Sequence, residues 1–301
     1  MSSLKPATLA AVSQLIDQQR LPAEFINSVL EFYLPLAIGL NSQLENHQLT
    51  KVGVQGSQGS GKSTCAEFIK ILLQHEFDKR VLVASIDDFY LTKLERETMA
   101  REVHPLFATR GVPGTHDVRM IQTMFELAAT SQTFSVPIFD KSVDDRAPSS
   151  QWQQLTGPFD VVILEGWCVG IDAEPDSALA MPKNQLERLE DVDFIWRKSV
   201  NRALSEEYAE LFARLDVLVA LQAPSFACVY GWRLLQEQKM IDRLQAQGRD
   251  VSQAQTPAQI ERFISHYQRL TEHALATMPQ RADWLLTLNN NHQFESLRSK
   301  S

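Results

Sequence analysis

Cysteine is scarce in this chain. The three present, Cys65, Cys168 and Cys228, are odd in number and form no Cys-x-x-Cys pair, so neither a disulfide framework nor a zinc site is indicated. Reduced thiols of this kind point to a cytoplasmic protein. Positive charge is also short: 29 Lys and Arg stand against 37 Asp and Glu, for a net charge of -8. A general nucleic-acid binder needs a basic footprint, so nucleic acid is not the expected partner. Long apolar runs are missing. The longest cluster, Leu34 to Leu40, is far too short to span a bilayer, and no apolar core follows the first six residues. Neither membrane attachment nor a secretory signal is expected. No internal repeat, low-complexity tract or clear linker is present.

What remains is a globular composition, 44% hydrophobic. Segments 51–55, 80–87, 160–165, 216–221 and 284–288 are short and nearly continuous in apolar residues, as strands buried on both faces of a parallel sheet are. Segment 134–139 is a further strand candidate. Helical spacing separates these segments. The alternation implies an α/β fold with a mainly parallel core sheet of about five strands flanked by helices. Before it, residues 7–45 read as helices. Leu9, Val12, Leu15 and Ile16 make one face, Leu21-Pro22 a break, and Phe25, Val29, Leu30, Tyr33 and Leu34 a second face. The expected organisation is a helical extension over 1–48 and a main domain over 49–301.

The stretch that carries chemistry is Gly56-Ser57-Gln58-Gly59-Ser60-Gly61-Lys62-Ser63-Thr64, a Gly-x-x-x-x-Gly-Lys-Ser phosphate-binding loop. Glycines let consecutive N–H groups converge on phosphate oxygens. Lys62 can reach the outer phosphates, the Ser63 hydroxyl can ligate Mg²⁺, and the following helix offers its positive end. Strand, loop and helix follow in the required order, which sets the loop apart from an ordinary glycine turn. A triphosphate site needs a second acid for Mg²⁺, and Glu165 ends an apolar strand where a carboxylate is otherwise costly to bury. Asp87 ends another strand, on the sheet edge where ligands of open parallel sheets bind. It is the candidate base for an acceptor hydroxyl, with Asp88 the weaker one; a turn cap or a Mg²⁺-water contact is the alternative for either. Arg233, with Arg243 nearby, is the candidate cation on a lid helix over about 225–245. Two polar loops could grip a small acceptor. One offers Arg110, His116 and Asp117, the other Asp140, Lys141 and Arg146, with Tyr90 beside Asp88. His75, His104 and His266 have no metal-ligand spacing.

Several motifs together resemble the D-glycerate 3-kinase group of P-loop kinases. They are the phosphate loop, Ser85-Ile-Asp-Asp-Phe-Tyr-Leu-Thr92, Arg110-Gly-Val-Pro-Gly-Thr-His-Asp117, Pro137-Ile-Phe-Asp-Lys-Ser142, Asp145-Arg146 and Ile163-Leu-Glu-Gly-Trp167. The Asp-Asp-Phe-Tyr and Glu-Gly motifs are also similar to uridine kinase, phosphoribulokinase and bacterial pantothenate kinase. The resemblance spans about residues 50 to 290. It implies a P-loop NTPase fold and transfer of the γ-phosphoryl of MgATP to a small-molecule hydroxyl, with D-glycerate the expected acceptor. A nucleoside, pantothenate or another small alcohol is the alternative within that chemistry. By the same resemblance Asp87 matches the catalytic aspartate, Glu165 the strand-end acid and Arg233 a lid arginine. A nucleotide-binding switch that hydrolyses ATP slowly is the reading from another class; it needs no hydroxyl-activating base such as Asp87.

Overall fold

The computed structural model describes residues 4–44, 49–246 and 256–300, without the side chains of 236, 237, 239, 240, 243, 244 and 246. The strands are β1 (Thr50–Gly56), β2 (Val81–Ser85), β3 (Thr133–Val136), β4 (Phe139–Asp140), β5 (Asp145–Arg146), β6 (Gln153–Thr156), β7 (Val161–Gly166), β8 (Val217–Gln222), β9 (Trp284–Leu288) and β10 (Phe294–Ser299). The α-helices are α1 (Pro6–Gln18), α2 (Phe25–Ser28), α3 (Leu34–Leu44), α4 (Lys62–Phe77), α5 (Lys93–Glu102), α6 (Val118–Ala128), α7 (Gln185–Glu190), α8 (Ile195–Ser205), α9 (Glu207–Phe212), α10 (Phe226–Ala246) and α11 (Pro257–Arg281).

Among the described residues six strands form the main sheet, in the order β10-β9-β8-β1-β7-β2. Five are mutually parallel, as their apolar runs require, and β10 joins antiparallel at one edge. The polar tail after Asn289 therefore contributes a sixth strand that the apolar pattern does not reveal. Its residues are half-buried or exposed, as a solvent-facing edge strand allows. The run at 134–139 lies outside this sheet. It is divided between two small antiparallel ribbons, β3 with β6 and β4 with β5. Pro137 sits at the division and has no N–H to give a ladder.

Helices cover both faces. On one face α1, α4 and the α3 region share a core with Val52, Val54, Ile163 and Val219 of the sheet. On the other, α6, α8, α9 and α11 pack on Leu82, Val162 and Leu164. The N-terminal helices thus lie against the sheet, but two residues assigned to their inner faces do not. Leu9 and Leu30 are 46% and 40% exposed. Between α2 and α3 a π-helical turn, Val29–Tyr33, adds a residue to the turn and rotates the apolar stripe past Leu30. In α1 the buried stripe runs through Thr8 and Val12 instead of Leu9.

Phe68 of α4 anchors this layer: it is fully buried, stacked on Tyr33 at 5.4 Å and 5.5 Å from the Phe25 ring. Phe68→Ala should lower the unfolding free energy by about 3–5 kcal/mol, whereas Leu9→Ala should change it by no more than about 0.5 kcal/mol. Denaturant titration of both variants checks the contrast.

Candidate active site

β1 runs into the phosphate loop, and α4 starts at its end. Gly61 precedes α4 with φ +90°, a conformation that suits glycine, and no side chain caps the helix start. The first-turn N–H groups are left for a ligand. The Ser57 and Ser60 hydroxyls and Gln58 Oε1 are buried without hydrogen-bond partners. Buried polar atoms are costly to leave unmade, so this cluster marks a place shaped for a polar guest. Thr64 is engaged elsewhere, since its hydroxyl donates to Gln19 Oε1 at 2.6 Å, just past the end of α1.

Register places the acid. Glu165 pairs with Val54 of β1 and with Ser85 of β2, so it sits between the phosphate loop and the Asp87 turn. It is 5% exposed. Ser63 Oγ donates to its Oε1 at 2.8 Å, Lys62 Nζ lies 4.0 Å from Oε2, and Oε2 has no hydrogen-bond partner. An under-satisfied carboxylate beside a hydroxyl is an oxygen donor set of the kind Mg²⁺ prefers. Among the described residues no cluster of three or more His, Cys, Asp or Glu could hold a metal alone.

Residues 80–87 do not stay extended to their end. After Ser85 the chain turns into a 3₁₀ turn, Ile86–Phe89, whose start is capped by the Ser85 hydroxyl accepting from Asp87 N. That turn presents Asp87. Tyr90 Oη donates to Asp87 Oδ1 at 2.7 Å, and Lys141 Nζ donates to Oδ2 at 2.9 Å. Burial works to raise the Asp87 carboxyl, but Lys141 and Lys62 outweigh it and hold it down to about 2. Asp88 is the opposite case. Burial lifts it to about 6 against the Phe139 N–H it accepts, with Asp87 and Glu165 adding to the rise. Neighbouring carboxylates thus differ: Asp87 is charged at neutral pH, and Asp88 is closer to protonation.

The two polar loops meet here. Phe89, Tyr90 and Leu91 pair through backbone contacts with Thr115, His116 and Asp117. Gly111 has φ +128° and faces the Tyr267 ring so closely that a Cβ would collide with it. Its carbonyl accepts from Trp167 Nε1, and Arg110 O accepts from Tyr267 Oη. Of the acceptor candidates, several are also committed within the protein. Arg110 pairs with Asp144 and lies over Phe139. Arg146 donates to Tyr90 O and faces Asp117, which caps α6. Asp140 accepts from Ser142 within its own turn. Arg233 lies half-buried on α10, whose Trp232 backs onto Gly59 of the phosphate loop, and its charge is felt by the Tyr267 hydroxyl. The Arg243 side chain lies outside the described residues.

One site residue escaped the sequence reading. Tyr208 of α9 accepts from Gly114 N at 3.1 Å and lies 2.6 Å from His116 Nδ1. A phenol has one proton. Giving it to Nδ1 leaves a single orphan, Nε2–H, whereas the other tautomer leaves two, so His116 carries its proton on Nε2. That nitrogen is buried without a partner, and the ring stacks on Tyr90 at 4.6 Å. Tyr208 and His116 are 92 residues apart, and no spacing rule connects them.

The protein-family model described as Phosphoribulokinase / Uridine kinase family matches residues 51–205. Among curated relatives, an uncharacterized kinase of Schizosaccharomyces pombe is 33% identical over 251 residues, 79% of this chain and 82% of its own. The chloroplastic D-glycerate 3-kinase of Arabidopsis thaliana is 28% identical over 259 residues, 78% of this chain and 52% of the plant protein. Among solved structures, a D-glycerate 3-kinase from Cryptococcus neoformans aligns with a TM-score of 0.70 at 24% identity, covering 89% of this chain and 99% of its own. That likeness establishes the P-loop kinase fold.

Burial pushes the His116 imidazole down to about 4, with Asp87 pulling weakly the other way. The unfolded chain, with its histidine near 6.5, therefore binds the proton first, and the folded state loses stability as pH falls from about 6.5 toward about 4. His116→Gln removes that dependence. Its stability gap to the wild type should shrink by roughly 2–3 kcal/mol between about pH 7 and about pH 4.5, read by denaturant unfolding at each pH.

Proposed function

The chain belongs to the phosphoribulokinase / uridine kinase family, and from that premise we propose that its acceptor is D-glycerate and its product 3-phosphoglycerate. ATP-dependent phosphotransfer is the coarser statement, which the family and its kinase relatives support directly. The observation that carries the acceptor is the cation beside the base: Lys141 lies 2.9 Å from Asp87 on the acceptor side. A substrate with a carboxylate close to its reacting hydroxyl complements that pair. The acid named for the Arabidopsis relative is of this kind.

In this reading the phosphate loop, Gly56 to Thr64, cradles the triphosphate with its N–H groups and its spare hydroxyls. Lys62 meets the outer phosphates. Ser63 and Glu165 hold Mg²⁺, which when bound neutralises charge across the phosphates. Asp87 takes the hydroxyl proton through Oδ2 while Tyr90 keeps the carboxylate oriented through Oδ1. Arg233 adds positive charge from α10. His116, buried, and Asp88, half-buried, stand beside Asp87 and the acceptor loops. Catalysis is then mostly positioning and electrostatics, which suits a phosphoryl transfer. Asp87 sets this reading apart from a slow nucleotide switch, which has no hydroxyl to activate.

ADP release with MgATP should accelerate with D-glycerate and not with L-glycerate, uridine, pantothenate or ribulose 5-phosphate. Asp87→Asn should reduce transfer by at least about 100-fold while leaving ATP affinity within about threefold, by calorimetry. Unchanged turnover in that variant would remove Asp87 from the role of base, and acceleration by a different acceptor would replace D-glycerate.

A further inference from the structure

The cations around the acceptor loops are held in two very different ways. Arg96 is buried to 1% exposure; it donates to the carbonyls of Leu91, Ala108 and Asp144 and pairs with the Asp144 carboxylate. Together with Arg110 it clamps the turn 140–146, and Asp145 adds a bond from Lys93 N at the start of α5. The backbone that carries Lys141 is therefore fixed. The Lys141 side chain is not: it is 61% exposed, and the partner it meets is Asp87 Oδ2. The lysine end of the pair is open to water, so Lys141 can swing away when another anion offers it a partner, while Asp87, only 26% exposed, holds it until then. Tyr90 holds the other oxygen, so Asp87 keeps its orientation when Lys141 leaves.

We propose that Lys141 is a specificity-determining latch: it covers the base in the acceptor-free protein, and the carboxylate of a bound hydroxy acid draws it off. The inference rests on the kinase reading above and adds how that site admits its substrate. Once Lys141 has moved to the substrate carboxylate, Asp87 Oδ2 faces the hydroxyl. The hydroxyl proton passes to Oδ2 and the oxygen bonds to the γ-phosphorus. The bond from that phosphorus to the β–γ bridging oxygen breaks, and ADP leaves with its electron pair. A neutral alcohol offers Lys141 no new partner, so the base stays covered. Water is refused for the same reason, which limits wasteful hydrolysis.

The test uses the full chain as wild type, Lys141→Met and Lys141→Arg, with MgATP. Lys141 is exposed, so all three should melt within a few degrees of one another. D-lactate, a carboxylate without the terminal hydroxyl, should accelerate ATP hydrolysis by the wild type severalfold. Lys141→Met should hydrolyse ATP faster than wild type without any acceptor and should ignore D-lactate. Its kcat/KM for D-glycerate should fall by about 10- to 100-fold while that for glycerol holds or rises, and Lys141→Arg should recover part of the discrimination. Equal losses with D-glycerate and glycerol, with hydrolysis and the lactate response unchanged, would overturn the latch. Failure of wild type to phosphorylate D-glycerate would instead count against the acceptor assignment. The hydrolysis arm still decides on Lys141 in that case, because it needs no phosphorylatable acceptor.

Discussion

The parallel pairing of β1 with β7 is the constraint from which the site follows. It sets Val54 opposite Glu165 and brings the strand that feeds the phosphate loop level with the strand that ends in the acid. β2, on the other side of β7, ends at the same height with Ser85 and turns into Asp87. Three chain segments therefore deliver Lys62, Glu165 and Asp87 to one edge. Parallel strands need long crossovers, and these supply the helices that bury both faces. The arrangement has an energetic cost. A carboxylate at 5% exposure is unfavourable unless paired, and one Ser63 hydrogen bond with Lys62 at 4.0 Å satisfies Glu165 only in part. Its Oε2 keeps acceptor capacity that a cation could use.

The sequence was most readable where one physical rule acts alone. Continuous apolar runs mean doubly covered strands, and the glycines with Lys62 and Ser63 mean a phosphate loop, so the sheet core and one side of the site could be placed at once. It was less readable where two rules compete. Residues 86 and 87 continue an apolar strand by composition, but the Ser85 hydroxyl caps a turn there and ends it. β10 carries Glu295, Ser296, Arg298 and Ser299, which its exposed edge position permits and its apolar content conceals. Long-range polar pairing left no signal at all. Tyr208 against His116, and Arg96 against Asp144, join residues whose partnership depends on the finished fold.

The N-terminal helices illustrate the same point. As a pattern they show two apolar faces, and these pack with α4 in one core apart from Leu9 and Leu30. What the pattern could not show is where on α4 they land. Gln19 takes the Thr64 hydroxyl in the first turn, and Tyr33 stacks on Phe68 one turn beyond. Burial raises the Cys65 thiol in the same turn, which shares this core layer with Tyr33. The phosphate loop is thus braced from behind by residues earlier in the chain, and a loop that must hold its N–H groups converging gains from such support.

Rigidity around the acceptor is unevenly distributed, and the distribution itself is informative. Arg96 spends its guanidinium on three carbonyls and a carboxylate, and Gly111 is clamped between Trp167 and Tyr267. Groups fixed in this way cannot respond to a ligand without breaking several bonds at once. Lys141 meets Asp87 from a side that is open to water, on a turn that Arg96 and Arg110 hold. A site that must stay covered until its substrate arrives needs a cover weaker than the substrate's own grip, mounted on a frame stronger than both. The buried arginine supplies the frame and the exposed lysine the cover.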